Sequence, residues 1–396
     1  MTAAAGCVAA AGLFWPRDAS PHNPITTTVL FNREISKLFQ QKCLQCHAGG
    51  GLAMSLATYE EARPWAVAIK EEVLSRKMPP WPAERGYGEF TNEAALTERE
   101  REFLVSWIDG GVPKGDGEPP AYVDHGAHWM LGTPELLLTA GAGVTIEPGR
   151  PVQFTRITMD TGLSQDRWLR AFDYKPDRRV ARVAFFTVAE TGQYLGTWTP
   201  WRTSGQLPDG VAVRLPARSR IAIDVLYQSP SDSASQQPSE RVVDLPSLGL
   251  YFAATRPARE MTTTVLEGQP AAASATGAPA PRVAATFVVP RDLSIIEMRP
   301  EIGPGGRSIE VKVKRPDGSF QVPLWIRRFR QEWQTSYVFR QPLTLPKGSI
   351  VSAIAYFDAT ASGQGRPGFK VTLSSYEPMA GTPTAAFGPR PPATAP

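Results

Sequence analysis

The sequence predicts a multidomain protein in which an all-α N-terminal domain precedes two all-β antiparallel sandwich domains. Its 396 residues exceed the length at which a single hydrophobic core usually stops growing, so two or three domains are expected. Apolar residues recur with helical spacing up to about residue 109, whereas beyond residue 122 they alternate with polar residues. The hydrophobic fraction of 42% is enough to fill packed cores, which predicts globular domains.

Three helices are predicted in the N-terminal domain. The first lies just before a cysteine pair, where four apolar residues share one helical face: Phe31, Ile35, Leu38 and Phe39. A second is expected within residues 59–76, because apolar residues there recur every four positions. The third begins at Thr97, which is expected to form a capping box with Glu100, and it ends at Gly110.

The rest of the chain has the alternation of half-buried strands. Three runs show it most clearly: residues 211–215, 220–227 and 308–314. Short runs of this kind, separated by turns rich in Pro and Gly, are typical of antiparallel, jelly-roll-like sandwiches.

Changes in composition indicate the domain boundaries. Residues 112–122 are rich in Pro and Gly, and a second low-complexity stretch is almost wholly Ala, Pro, Gly, Ser and Thr. The predicted segments are a flexible N-terminus or export-signal remnant (1–26), the helical domain (27–118), the first sandwich (119–266), a linker (267–281), the second sandwich (282–380) and a disordered tail (381–396).

The distribution of charge and the N-terminal sequence limit the kinds of partner that we expect. The net charge of +4 is scattered among acidic residues, so no nucleic-acid partner is expected. The apolar run at residues 1–15 is too short to span a bilayer and is interpreted as the remnant of an export signal. The preceding Ala-Ala-Gly makes Cys7 resemble a lipoprotein cleavage site, so membrane association through the N-terminus or through a lipid on Cys7 stays open.

The most specific motif is Cys43-Leu-Gln-Cys46-His47, which has the C-x-x-C-H form of covalent haem attachment. In this form two thiols add to the two vinyl groups of one porphyrin, and the adjacent imidazole ligates the iron as proximal ligand. A zinc site would need further Cys or His ligands, and the chain has only three cysteines and four histidines. The predicted cofactor is one covalent haem c.

A second axial ligand is expected from a methionine. Met78 precedes two prolines that forbid helix and stiffen the loop, so it is the predicted distal ligand. Met54 is the competitor, an open or His-ligated iron is a further alternative, and either methionine is otherwise simply a core residue. Trp81 and Trp107 are candidates for packing against the haem.

Three segments carry a family resemblance: residues 54–65, 76–81 and 104–111. They resemble bacterial c-type cytochrome domains fused to copper type II, ascorbate-dependent (peptidylglycine monooxygenase-like) modules. Weaker landmarks of the copper-binding sandwiches follow downstream, at 175–180, 207–210, 315–318, 333–337 and 345–348. The resemblance implies an all-α class I cytochrome c domain, and it supports Met78 as the distal ligand.

The copper ligands of that family are missing from this sequence. At three places where the resemblance implies histidines, the sequence has other residues: Arg182-Val183, Leu226-Tyr227 and Glu301-Ile-Gly303. Of the implied copper ligands, only the methionine is present, as Met379. Because His47 is assigned to the haem, too few histidines remain for two copper sites. No copper is expected, and the sandwiches are interpreted as having kept their fold and lost their catalyst.

These observations predict an electron-transfer protein rather than an enzyme. A single haem is expected to pass single electrons, while the β-domains serve as scaffold or docking surface for a redox protein or a membrane-bound electron-transfer complex. Since haem c is normally attached outside the cytoplasm, the expected location is the periplasm or the outer face of the cytoplasmic membrane. One alternative is a haem-fed copper-dependent monooxygenase with an atypical site at His125, His128 and Met379, and another is a structural subunit with an idle haem.

Overall fold

The computed structural model describes residues 25–49, 52–124, 128–149, 151–229, 241–269, 282–358 and 368–379. Strands account for about 42% of the structure and helices for about 15%. The predicted export-signal remnant with Cys7, most of the predicted linker and the predicted tail lie outside the described residues. The predicted domain boundaries therefore stay predictions.

The α-helices are short and lie between residues 31 and 109. They are α1 (Ser36–Lys42), α2 (Leu44–His47), α3 (Tyr59–Ala62), α4 (Ala66–Leu74) and α5 (Glu98–Asp109), with a π-helical turn at Phe31–Ile35 and 3-10 turns at Arg63–Trp65 and Gln331–Trp333. The predicted capping box is confirmed, because the Thr97 hydroxyl accepts from the Glu100 amide at 3.1 Å and the Glu100 carboxylate accepts from the Thr97 amide at 2.6 Å. The second predicted helix is divided by a 3-10 turn that contains Pro64.

The prediction of an all-α class I cytochrome c domain is wrong. The structure is mostly β-sheet, its helices are short, and no large all-α domain is present in the described residues. Residues 81–94 lie between α4 and α5 and are not helical. Two isolated β-bridges pair them with strands, one between Ala83 and Ile326 and one between Phe90 and Phe339. The family resemblance that implied a fused cytochrome domain is corrected for the same reason.

The first β-region contains twelve strands. They are β1 (Leu136–Thr139), β2 (Val144–Ile146), β3 (Gln153–Asp160), β4 (Arg167–Lys175), β5 (Ala181–Val188), β6 (Tyr194–Trp198), β7 (Ser204–Gln206), β8 (Val211–Leu215), β9 (Arg220–Tyr227), β10 (Val242–Asp244), β11 (Ser247–Phe252) and β12 (Arg259–Glu260). One sheet has the order β1-β11-β4-β8-β12 with β7 on β4, a second has the order β3-β9-β5-β6, and β10 pairs with β2. Apolar side chains of the two larger sheets share one core.

The second β-region contains eight strands in two four-stranded sheets. They are β13 (Thr262–Gly268), β14 (Arg282–Val288), β15 (Leu293–Ile302), β16 (Gly306–Lys314), β17 (Phe320–Ile326), β18 (Tyr337–Leu345), β19 (Ile350–Phe357) and β20 (Phe369–Tyr376). Their orders are β13-β20-β15-β18 and β14-β19-β16-β17, and all these pairings are antiparallel. The antiparallel sandwich prediction is confirmed for the β part of the chain.

Residues 81–94 form a segment that belongs to the core of the second β-region. The Trp81 ring lies 5.0 Å from that of Tyr337, and the Phe90 ring lies 5.3 Å from those of Tyr337 and Phe339. Backbone hydrogen bonds from Glu84, Thr91 and Arg340 connect the segment to β17 and β18. The segment between α4 and α5 is therefore part of the hydrophobic core of the second β-region, whereas the helices pack around a core of their own.

No helix among the described residues combines the length and the apolar character needed to cross a membrane.

Replacing Phe90 with Ala should lower the free energy of unfolding by about 3–5 kcal/mol, because Phe90 is only 3% exposed and its loss leaves a cavity among aromatic rings. Urea denaturation measures the change. Phe320→Ala is the matched control, because Phe320 is 61% exposed and its loss should cost less than about 0.5 kcal/mol. Equal effects of the two substitutions would show that residues 81–94 are not packed into this core.

Candidate cofactor site

An apolar cavity of about 330 Å³ lies where the helices meet both β-regions. Its volume falls within the range of roughly 300–1,000 Å³ that is typical of cofactor and small-molecule sites. The predicted residues Cys43, Cys46, His47 and Met78 all line it. The structure thus brings together four residues that the sequence places in two segments about 30 positions apart.

The two cysteines lie on one tight turn of helix. Cys43 lies between α1 and α2, and Cys46 lies one residue before the end of α2. The backbone amides of Cys46 and His47 both donate to the Cys43 carbonyl, at 3.0 and 2.9 Å. The two thiols are free and face the same cavity, so a single ligand in that cavity would meet both of them.

Burial keeps both thiols protonated. It raises the pKa of Cys43 and of Cys46 to about 12, and repulsion between the two sulfurs adds to the effect at Cys43. The cations Arg178 and Arg182 oppose the shift of the pKa at Cys46 but do not outweigh the loss of water. At neutral pH the pair therefore consists of neutral thiols, not of metal-binding thiolates.

A backbone hydrogen bond fixes the protonation state of His47. Its Nδ1 lies 3.0 Å from the Met54 carbonyl oxygen, which only accepts, so Nδ1 carries the proton. Burial lowers the pKa of His47, which favours the neutral ring. This leaves the lone pair of Nε2 available, the arrangement commonly found at histidines that ligate a metal.

The Met78 loop is held from two sides. On the helical side the Met78 amide donates to the Glu72 carbonyl in α4 at 3.1 Å. From the second β-region, Arg330 donates to the Lys77 carbonyl at 3.0 Å and Arg328 donates to the Ser75 carbonyl at 3.4 Å. These contacts hold the backbone around Met78 while its side chain lines the cavity.

The competitor Met54 also lines the cavity, so both methionines remain candidates on position alone. Met54 contributes its backbone carbonyl to His47, as described above. Met54 lies in the segment that holds His47 through this carbonyl, whereas Met78 comes from a separate segment.

The two candidate tryptophans lie elsewhere. Trp81 packs among the aromatic rings of the second β-region, and Trp107 is buried among the helices, where its indole N–H donates to the Pro113 carbonyl at 3.0 Å. Neither of them lines the cavity. The sequence around each tryptophan indicates that its ring is buried. It does not indicate in which core the ring of Trp81 or Trp107 lies.

Sequence reasoning missed four residues of the β-regions that close the cavity: Arg182, Trp201, Gln228 and Trp333. Arg182 Nε donates to Gln228 Oε1 at 2.6 Å, and Gln228 Nε2 donates to the Leu52 carbonyl at 2.8 Å. The Arg182 guanidinium also lies 5.0 Å from the centre of the Trp333 ring. No local pattern identifies these residues, because they reach the cavity only through tertiary packing.

The prediction of metal binding by a helical haem-binding domain is corrected, because the described residues contain neither such a domain nor a metal-binding group. Within the described ranges, no three His, Cys, Asp or Glu side chains come close enough together to hold a metal ion. His125 lies outside the described residues, while His128 and Met379 are exposed. A porphyrin brings its own nitrogen ligands to iron and needs only axial ligands from the protein. A haem site is therefore recognised by its cavity and not by a cluster of metal-binding side chains.

No family model and no curated protein matches this chain. Among solved structures, the major capsid protein P2 of Bacteriophage PM2 is 8% identical, with 61% of this chain and 96% of that chain covered and a TM-score of 0.28. PNGF-II is 10% identical over 61% and 65% of the two chains, with a TM-score of 0.24. The CBM22 tandem domain of Paenibacillus barcinonensis Xyn10C is 10% identical over 62% and 98%, with a TM-score of 0.15. Such low TM-scores establish neither a common fold nor a common function.

In the chain without haem, iodoacetamide should alkylate Cys43 and Cys46 far more slowly when the protein is folded than when it is unfolded in urea. A pKa of about 12 lowers the reactive thiolate fraction by roughly three orders of magnitude relative to an ordinary cysteine. Peptide mass mapping at neutral pH measures each site separately. Similar rates in the folded and unfolded chain would contradict the burial of these thiols.

Proposed function

We propose that this chain carries one haem attached covalently to Cys43 and Cys46 and that it transfers single electrons. The observation that carries the proposal is the meeting of these thiols with His47 and Met78 in one apolar cavity of about 330 Å³. The proposal rests on this cavity and on the C-x-x-C-H motif, not on a family or a helical fold.

The residues present fit this group. Two neutral thiols lie on one turn of helix, the imidazole keeps a lone pair on Nε2, and a thioether enters from another segment. Most of the remaining lining is apolar, as a porphyrin face requires. The Cys43 and Cys46 thiols would each add S–H across a vinyl group, forming a C–S bond and placing the hydrogen on the neighbouring carbon, so no oxidant is consumed.

Bound haem supplies an iron that changes its charge by one electron. His47 and Met78 would both hold the iron from the protein side, and ligation by two protein side chains favours electron transfer over catalysis. The hydrogen bond from His47 Nδ1 to the Met54 carbonyl would hold the imidazole in one orientation. The contacts of Arg328 and Arg330 would hold the Met78 loop in place.

The two β-regions would act as a scaffold that shields the cofactor and presents it to a partner. Their residues Arg182, Trp201 and Trp333 line the cavity. We propose a redox protein or a membrane-bound electron-transfer complex as partner, and the periplasm or the outer face of the cytoplasmic membrane as location, since covalent haem is normally attached there.

A protein expressed with a haem-attachment system should retain porphyrin after acid extraction, and replacing both Cys43 and Cys46 with Ser should abolish that retention. The double substitution removes both sites of thioether formation while changing each side chain little. Pyridine haemochrome analysis measures the covalently bound porphyrin per chain. Cys7→Ser is the matched control and should leave the content unchanged. An unmodified chain without covalent porphyrin would refute the proposal.

Replacing Met78 with Ala should abolish the red absorbance band of sulfur-ligated ferric haem, whereas Met54→Leu should retain it. Met78→Ala removes the proposed ligand, while the Met54 substitution preserves the backbone carbonyl that orients His47. Optical spectra of the oxidised proteins provide the measurement. The reverse pattern would transfer the distal role to Met54.

A further inference from the structure

The loop that carries the C-x-x-C-H motif is held by side chains of the first β-region. We call residues 43–56 the proximal segment. Arg178 Nη2 donates to the Gln45 carbonyl at 2.5 Å, and Gln228 Nε2 donates to the Leu52 carbonyl at 2.8 Å. The first contact lies inside the motif and the second lies after it, so the first β-region holds the segment on both sides of the imidazole.

The proximal segment is also closed by its own hydrogen bonds. The backbone amides of Ala53 and Leu56 donate to the carbonyls of Cys46 and His47, at 3.3 and 2.7 Å. His47 Nδ1 in turn donates to the Met54 carbonyl at 3.0 Å. The imidazole therefore keeps its position relative to the two carbonyls that the first β-region holds.

The other predicted axial ligand lies in a segment that is held by the second β-region. We call residues 75–78 the distal segment. Arg328 and Arg330 donate to two of its backbone carbonyls, as described above. His47 and Met78 are thus connected to different β-regions.

The two β-regions pack directly on each other. The Arg299 guanidinium on β15 lies 3.7 Å from the centre of the Phe185 ring and 5.2 Å from that of the Tyr194 ring. Gln193 Nε2 also donates to the Thr263 hydroxyl on β13 at 2.8 Å. Four apolar side chains of the first β-region form a separate buried cluster there, and each is at most 4% exposed: Val183, Phe185, Tyr194 and Leu226.

These contacts form a series that connects the two ligand segments in addition to the helices. The proximal segment contacts the first β-region, the first β-region packs on the second, and the second contacts the distal segment. Closely packed interiors transmit displacements from one element to the next. In a series, the loss of any one contact releases the whole constraint, whereas independent contacts would contribute separately.

We propose that Arg178 and Gln228 position His47, and that the packing of the two β-regions on each other sets its spacing to Met78. This inference rests on the proposed function and adds to it a role of the β-regions in the ligation of iron. A spacing fixed in advance favours ligation by both side chains, because less freedom is lost when the second ligand binds. Arg178 and Gln228 act through backbone carbonyls and are therefore positioning residues.

The test measures how readily imidazole displaces the methionine ligand in the ferric holoprotein. Imidazole binds only iron that is free of the methionine, so its apparent affinity rises with the methionine-free fraction. The variants are Arg178→Gln, Arg330→Gln, the two combined, and Arg299→Ala at the contact between the β-regions. Arg179→Gln is the control, because Arg179 pairs with Asp177 and does not line the cavity.

Arg178→Gln and Arg330→Gln should each raise the apparent imidazole affinity by about tenfold, because each removes a charged hydrogen bond. The double variant should also raise it by about tenfold and not by about a hundredfold, because the contacts act in series. Arg299→Ala should raise the affinity as well, and Arg179→Gln should leave it unchanged. Arg178→Lys keeps a charged donor and should restore most of the original value.

Effects of the two single substitutions that multiply in the double variant would overturn the inference while leaving the proposed function intact. An unchanged affinity in the single variants or in the Arg299 variant would overturn it too. Thr263→Val, which removes the acceptor of Gln193, replaces Arg299→Ala if that variant does not fold. Absence of covalent haem from the unmodified protein would instead refute the proposed function itself, and the inference with it.

Discussion

The packing of residues 81–94 onto the second β-region is the interaction on which the cavity depends. This segment directly follows the Met78 loop. The rings of Trp81 and Phe90 pack against the ring of Tyr337 in the second β-region. Hydrogen bonds from Arg328 and Arg330 hold the preceding residues against the same region. The position of Met78 is therefore determined by residues about 250 positions later in the chain, and only in part by the helix that precedes it.

The two β-regions do more than support the helices. Arg182, Trp201 and Trp333 line the same cavity as the two thiols. Removal of water raises the pKa of both cysteines and strengthens every electrostatic interaction inside. Burial is the largest cause of the raised pKa of both thiols and of the lowered pKa of His47 and Arg182.

The sequence predicted best what is encoded locally. The C-x-x-C-H motif, the loop before Pro79 and Pro80, and the capping box at Thr97 each depend on residues within a few positions of one another, and the structure places the first two around one cavity. The fold class of the N-terminal part was predicted wrongly, because helical periodicity identifies helices but not the partners of the loops between them. Residues 84–90 illustrate this limit: a Cβ at Gly88 would collide with the Pro323 carbonyl oxygen, a contact that no local pattern indicates.

The arginine contacts to the Met78 loop have a further consequence for biosynthesis. The hydrogen bonds from Arg328 to Ser75 and from Arg330 to Lys77 each connect residues 253 positions apart. Residues 1–327 of the nascent chain are synthesised before Arg328 and Arg330. The support that the second β-region gives to the backbone around Met78 is therefore completed only after most of the chain has been synthesised.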